Sequence, residues 1–484
     1  MTTNVTINSL ATGVPGLDDV LGGGLPELSF NLIAGQPGCG KTILAHQIMF
    51  SVATPERPAL YITVLAEPPL KMLRHQQQFK FFDIKMINRS VRFVNLTEEA
   101  LADDLDQLIS RIAAEVQTHT PAFVFIDSFR SMVLASTAEN QIQKFLQRLA
   151  TLMTNWHATT FLIGEYFNEA DASSNPVFTV ADGLIWLRQS TERNSVVRKM
   201  EILKMRAQPS LPGLHSFRID PSGIKVFAPA FVALGQAPSE ERELPDVRLP
   251  MGVLLLDEML GGGLPSGYSL LVAGPSGSGK SILAAAFLAE GARCGETGVI
   301  AAFEQHPNRS RKREIADLIK SGRIALVNTS ALDLSIDEIL LLLLIEIRRL
   351  KATRVVIDSL SGFELTLAPT FREDFRESML RLVNTLTGEG VTVLMTSELE
   401  DRYTDLRFSP YGTAFLTDAI IVQRYIELGS RLQRVIAVVK VRGSDHSNEL
   451  RQFSIDDHGI QIGAMLSDQE GLLIGKPTKK SDAN

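Results

Sequence analysis

Cysteine is nearly absent. Cys39 and Cys294 are the only two in 484 residues, and neither belongs to a CxxC pair or to a Cys/His cluster with metal-ligand spacing, which argues against disulfide staples and structural zinc. Long apolar stretches are missing as well. The longest purely apolar runs, Ile282 to Ala289 and Ile339 to Ile345, fall far short of the roughly 20 residues needed to cross a bilayer and read as buried helices. The chain begins MTTNVTINSL, without a basic region followed by an apolar stretch, so no secretory signal is expected and a cytoplasmic location is. Positive charge is not in excess either. With 48 basic against 55 acidic residues the formal charge is −7, which gives no whole-chain pull toward nucleic acid, although a local basic strip stays open. What is present is the balance of a folded globular chain, 45% hydrophobic and 21% charged, long enough for two to four domains.

The sequence is written twice. Residues 16–26, GLDDVLGGGLP, return at 255–265 as LLDEMLGGGLP, and GQPGCGKT at 35–42 returns at 274–281 as GPSGSGKS. Further on, FVFIDS at 123–128 matches RVVIDS at 354–359, and LKMR at 203–206 matches VKVR at 439–442. Four markers in one order, at offsets of about 230 to 240 residues, identify a duplicated domain. The seam is expected in Gln236 to Pro250, where three prolines and a cluster of charges interrupt the apolar pattern. That gives domains at 1–240 and 241–466, with a loose polar tail at 467–484.

Within each copy, β-rich apolar runs such as Ser29 to Ala34, Ala59 to Leu65, Ala122 to Ile126 and Thr160 to Ile163 alternate with helical segments such as Ile43 to Val52 and Gln141 to Thr154. Strands alternating with helices predict βαβ units and a mostly parallel sheet flanked by helices, an α/β class fold.

A phosphate chain is held by backbone N–H groups converging on one point, which requires a turn free of side chains ahead of a helix N-terminus. The pattern G-x-x-x-x-G-K-[ST] supplies it, and both copies carry it between a strand-like run and a helix-like run. The expected nucleotide-binding residues are Gly35, Gly38, Cys39, Gly40, Lys41 and Thr42, and then Gly274, Gly277, Ser278, Gly279, Lys280 and Ser281. Lysine would meet the β and γ phosphates and the hydroxyl Mg²⁺. Asp127 and Asp358 each end an apolar run, so with Thr42 and Ser281 they are the expected magnesium-side groups, helix capping being the alternative. Hydrolysis also needs a group that positions water. AAFEQHP offers Glu304, followed by Gln305, and ITVLAEPP offers Glu67, preceded by Ala66. A solvated strand-end role is the alternative for each glutamate, and His306 reads as a surface or capping histidine.

With these residues in place the chain resembles the KaiC branch of the RecA-like ATPases, from Gly13 to about Ile462. The resemblance rests on the GGGLP strings, the I-D-S motif, the T-D-A-I-I run at Thr417 to Ile421 and the K-x-R pairs. It implies tandem duplicated RecA-like P-loop NTPase domains in a two-tiered homohexameric ring, with ATP and Mg²⁺ held between neighbouring subunits. It further implies that Lys204 with Arg206, and Lys440 with Arg442, reach a neighbour's γ-phosphate; on spacing alone a solvated strand face is the alternative. The family places two adjacent glutamates after the strand, and here each half has one of the two, which favours the second half as the better catalyst. The family's phosphorylated Ser-Thr pair falls on Ala414 and Phe415, so a two-site cycle is not expected; autophosphorylation at Ser409, Thr413 or Thr417 stays open. The leading expectation is an ATP-hydrolysing ring that signals through nucleotide-dependent contacts with a regulatory protein. The alternatives are a nucleotide-gated scaffold with negligible turnover and a DNA-acting motor, for which Arg309 to Arg313 and Arg188 to Lys199 are the basic candidates.

Overall fold

The structure is a computed structural model that describes residues 8–64, 69–98, 105–128, 139–167, 176–192, 195–229, 247–303, 313–327, 334–367, 375–399, 416–428, 430–466, 469–470 and 478–479. The chain divides into two compact units, Met1–Gly235 and Gln236–Asn484.

The first unit is built on a nine-stranded sheet. Its strands are β1 (Phe30–Gly35), β2 (Ala59–Thr63), β3 (Val91–Asn95), β4 (Phe123–Asp127), β5 (Thr159–Glu165), β6 (Gly183–Glu192), β7 (Ser195–Met205), β8 (Leu214–Asp220) and β9 (Gly223–Val226). They lie in the order β3-β2-β4-β5-β1-β6-β7-β8-β9. The first six are mutually parallel and the last three add on as antiparallel neighbours. Helices α1 (Lys41–Val52), α2 (Leu105–His119) and α3 (Glu139–Asn155) flank this sheet.

Every residue of β1 is buried, as a strand covered on both faces must be. Ile33 packs with Leu44, Ile48 and Phe125 on the face of α1, whereas Leu32 and Ala34 pack with Ile112, Leu146 and Leu149 of α2 and α3 on the other. The amide N–H of buried Asn31 donates to Ser29 Oγ at 2.8 Å.

The second unit repeats the plan. Strands β10 (Ser269–Gly274), β11 (Gly298–Ala302), β12 (Ile324–Val327), β13 (Arg354–Asp358), β14 (Thr392–Glu398), β15 (Ala419–Leu428), β16 (Arg431–Val441), β17 (Arg451–Asp456) and β18 (Gly459–Met465) lie in the order β12-β11-β13-β14-β10-β15-β16-β17-β18. This is the same arrangement strand for strand, so the chain is a tandem pair of mostly parallel α/β domains of RecA-like type. Its helices include α4 (Lys280–Arg293), α5 (Ile336–Leu350) and α6 (Phe375–Gly388).

Two expectations need correction. The run Ile339 to Ile345 does lie in α5, but it is not buried throughout: Leu340, Leu343, Leu344 and Ile347 are inside while Ile345 is 45% exposed. At 100° per residue a seven-residue apolar run covers nearly the whole helix circumference, and only one side meets the sheet. The tail is not wholly without structure either, since Gln469–Glu470 pairs antiparallel with Thr478–Lys479. No described helix is long and apolar enough to cross a membrane.

Candidate phosphate-binding sites

In each unit the glycine-rich string leaves the C-terminal end of a central strand, β1 or β10, and turns directly into α1 or α4. The turn is the same twice. Gly38 and Gly277 have φ of 77° and 74°, and Gly40 and Gly279 both have 108°, values an L side chain resists. A side chain would also displace its neighbour, because a Cβ on Gly40 would come within 2.8 Å of Ile219 Cδ1 and one on Gly279 within 2.7 Å of Ile455 Cδ1. These isoleucines belong to β8 and β17, so the antiparallel extension of each sheet closes over its loop. Neither α1 nor α4 has a side-chain cap at its start, which leaves the first-turn N–H groups with the partial positive charge that suits an anion.

Lys41 and Lys280 are 6% and 9% exposed and fold back over their loops. The Lys41 ammonium donates to the Gln36 carbonyl at 2.8 Å, and that of Lys280 to the carbonyls of Gly274 at 2.7 Å and Pro275 at 2.8 Å. Each loop therefore has a charge fixed at its centre. Cys39 is buried, and burial pushes its thiol pKa up, with the Lys41 charge opposing. At the matching place Ser278 donates to Gln423 Oε1 at 3.1 Å.

The next residue of each helix reaches the strand-end aspartate: Thr42 Oγ1 donates to Asp127 Oδ2 at 2.9 Å, and Ser281 Oγ to Asp358 Oδ1 at 3.0 Å. Asp127 is 4% exposed. Burial raises its pKa, while the hydroxyls of Tyr61 and Thr42 and the charge of Lys41 oppose. The peptide bond after each aspartate is cis. Ser359 also caps the helix Leu360–Thr366, accepting from Gly362 N–H. A hydroxyl paired with a carboxylate is a hard-oxygen donor set that suits Mg²⁺, which takes one or two protein oxygens and completes its shell with phosphate and water. Among the described residues no three His, Cys, Asp or Glu side chains cluster as a metal site.

The strands bring two further carboxylates to the same edge. Glu165 ends β5 in register with Gly35, and Glu398 ends β14 in register with Gly274. Sequence reasoning passed over both, although TTFLIGE and TVLMTSE are recognisable copies. Tyr61 and Thr396 were also missed: their hydroxyls bond Asp127 at 2.7 Å and Asp358 at 2.6 Å.

Glu67, Glu304, Gln305 and His306 lie outside the described residues, as does most of the basic string 309–313. The K-x-R pairs are described, and they sit away from their own loops. Lys204 donates to the Thr179 carbonyl at 3.2 Å and Lys440 to the Thr417 carbonyl at 2.7 Å. Arg206 pairs with Asp182 at 2.9 Å and Arg442 with Asp418 at 3.2 Å. Because Asp182 also accepts from Phe30 N–H, this cluster marks the start of β1. The glycine loop begins five residues later, roughly 16 Å at the usual rise per residue. Burial, and then the neighbouring arginine, lowers the pKa of each lysine, the nearby aspartate opposing. In the other basic segment Arg188 already pairs with Glu201 at 2.7 Å.

Two RecA-like domains, each with a glycine-rich phosphate loop, a buried lysine and a hydroxyl–carboxylate pair, define a tandem P-loop protein. The family model described as KaiC ATPase matches residues 10–230 and again residues 249–467, and the chain belongs to that family. The circadian clock oscillator protein KaiC of Rippkaea orientalis is 27% identical over 98% of this chain and 92% of its own length. The circadian clock protein KaiC3 of Synechocystis is 28% identical over 97% of this chain and 95% of its own. For the circadian clock oscillator protein KaiC of Synechococcus elongatus the identity is 26%, over 98% and 92%. The ATPase domain is thus present twice, and nucleotide binding is the family's property.

Proposed function

We propose that the chain hydrolyses ATP with Mg²⁺ at two sites, one per domain (1–240 and 241–466), within a homo-oligomeric ring, and that the nucleotide state biases its contacts with a regulatory protein. The observation that carries this reading is the repeated constellation itself: a buried ammonium at the loop centre beside a hydroxyl that donates to a strand-end carboxylate. In each site the loop N–H groups and lysine bind the phosphates. Thr42 or Ser281 spends its single proton on the aspartate, which turns its lone pairs toward the loop. Mg²⁺, when bound, neutralises charge on the phosphate oxygens.

Lys204 with Arg206 and Lys440 with Arg442 serve a neighbouring subunit. Their placement at the start of the strand whose far end carries the loop of their own domain supports action in trans, where a guanidinium stabilises charge that develops during transfer. Glu304 is the water-activating group of the second site and Glu67 the weaker counterpart in the first, so the second site turns over faster. Full burial of Thr417 counts against it as a phosphoacceptor, which leaves Ser409 and Thr413 for any autokinase activity.

Phosphate release from the unmodified chain and from Glu304→Gln tests the enzyme. A large loss in the variant with ATP still bound supports it, whereas no turnover in either favours a nucleotide-gated scaffold, the reading that the half-complete glutamate pairs recommend. Particle size with and without Mg-ATP tests the ring.

A further inference from the structure

The two domains share one strand order, yet they tether the strand-end aspartate from opposite flanks. Asp127, on β4, lies between β5 and β2. Its Oδ2 receives Thr42 and, at 2.7 Å, the phenol of Tyr61, which comes from β2. Asp358, on β13, lies between β14 and β11. Its Oδ1 receives Ser281 and, at 2.6 Å, the hydroxyl of Thr396, which comes from β14. The exchange is reciprocal. Ile163, the β5 partner of Asp127, stands where the second domain has Thr396, and Ile300 on β11 stands where the first has Tyr61.

Tyr61 is held firmly. It is fully buried, with ring centroids of His46, Phe93 and Phe125 at 4.6, 5.3 and 6.3 Å. His46 lies one helical turn beyond Thr42, and the second domain has Ala285 there, with Leu326 in place of Phe93. The first domain has therefore built an aromatic wedge around its tyrosine that the second lacks.

We infer that Tyr61 is the positioning residue of the first phosphate site and Thr396 that of the second, each fixing the carboxylate that orients the helix hydroxyl toward the cation. Resting on the magnesium-nucleotide reading above, the inference deepens it. A carboxylate that loses a converging donor can rotate, and the Thr42 or Ser281 hydroxyl loses its fixed direction with it. Each site consequently depends for cation-coupled binding on a substitution that leaves the other untouched.

The test uses the full chain with one site disabled at a time and ATP binding measured by titration calorimetry in excess Mg²⁺ and in EDTA. In a Lys280→Ala background, Tyr61→Phe is expected to weaken binding about tenfold with Mg²⁺ and less than twofold in EDTA, the loss of one hydrogen bond to a charged group. Adding Ile163→Thr supplies the donor from the flank the second domain uses and should restore most of the loss. In a Lys41→Ala background, Thr396→Val should show the tenfold loss and Tyr61→Phe none. Emission from Trp186, buried in the first domain, checks that the Tyr61 and Ile163 variants stay folded, and the far-ultraviolet circular dichroism melt checks Thr396→Val. Equal losses with and without Mg²⁺, or no loss, overturn the positioning role. A Lys280→Ala parent that binds no ATP in either condition overturns the nucleotide reading at the first site before Tyr61 is touched.

Discussion

Removing Glu296 should destabilise the second domain alone. Arg354, at the start of β13, is 1% exposed. Its guanidinium makes two bonds of 2.9 Å to Glu296 and donates to the carbonyls of Pro250 at 2.7 Å and Phe287 at 2.8 Å. It also stands 4.6 Å from the centre of the Phe287 ring. Glu296→Ala leaves this buried cation without its carboxylate, a loss that typically costs about 3 to 5 kcal/mol. The Glu296 side chain keeps 20% of its surface, so water enters the space and the lower end, about 3 kcal/mol, is expected. For a domain of this size that lowers the melting temperature by about 6 to 12 °C. Both tryptophans, Trp156 and Trp186, belong to the first domain. Their emission should therefore melt unchanged while the far-ultraviolet circular dichroism transition of the second domain moves down. Arg354→Met, which removes the charge and keeps the apolar stem, should cost clearly less than Glu296→Ala, because no orphaned cation remains. The reasoning fails if Arg354→Met costs as much or more, or if tryptophan emission shifts in step with the dichroism.

Gly279→Ala forces a side chain into φ of 108° and within 2.7 Å of Ile455. It should abolish nucleotide binding at the second site and leave the first intact, and retained stoichiometry in calorimetry would contradict that. His46 is buried and its pKa is lowered from 6.5 to about 4, burial being the cause and the Gln76 side chain opposing. Between those values the unfolded chain binds more protons, so the first domain is at full stability above pH 6.5 and loses roughly 2 kcal/mol by pH 5. Urea midpoints followed by tryptophan emission should fall accordingly, and His46→Leu should flatten that part of the slope; an unchanged slope refutes the assignment. In a Lys41→Ala background, which silences the first site, Arg442→Ala should lower turnover by about a thousandfold or more with ATP still bound. Mixing it with Lys41→Ala/Lys280→Ala chains should recover activity if the arginine acts on a neighbour, and no recovery argues for action within one chain.

What was legible from the residues was what is local. The glycine loops, their lysines and the Thr42 and Ser281 hydroxyls lie within eight consecutive positions, so backbone chemistry alone places them. Asp127 and Asp358 were found because a carboxylate ending a buried run needs a partner. Tyr61 and Thr396 were not, because each reaches its aspartate across strands: Tyr61 and Asp127 are 66 residues apart, and a tyrosine in the middle of ALYIT looks like any core aromatic. The K-x-R spacing revealed neither Asp182 nor Asp418 as partners, nor the far end of the sheet as their place. Ile345 misled for a related reason: composition marks α5 as apolar, but only contact with the sheet decides which side is covered.

The most direct measurement is the number of ATP molecules held per chain, by equilibrium dialysis with Mg²⁺ on the unmodified protein, Lys41→Ala, Lys280→Ala and the double variant. Two, one, one and none are predicted. A single site in the unmodified chain, or undiminished binding in the double variant, would contradict the assignment of both glycine loops as phosphate sites.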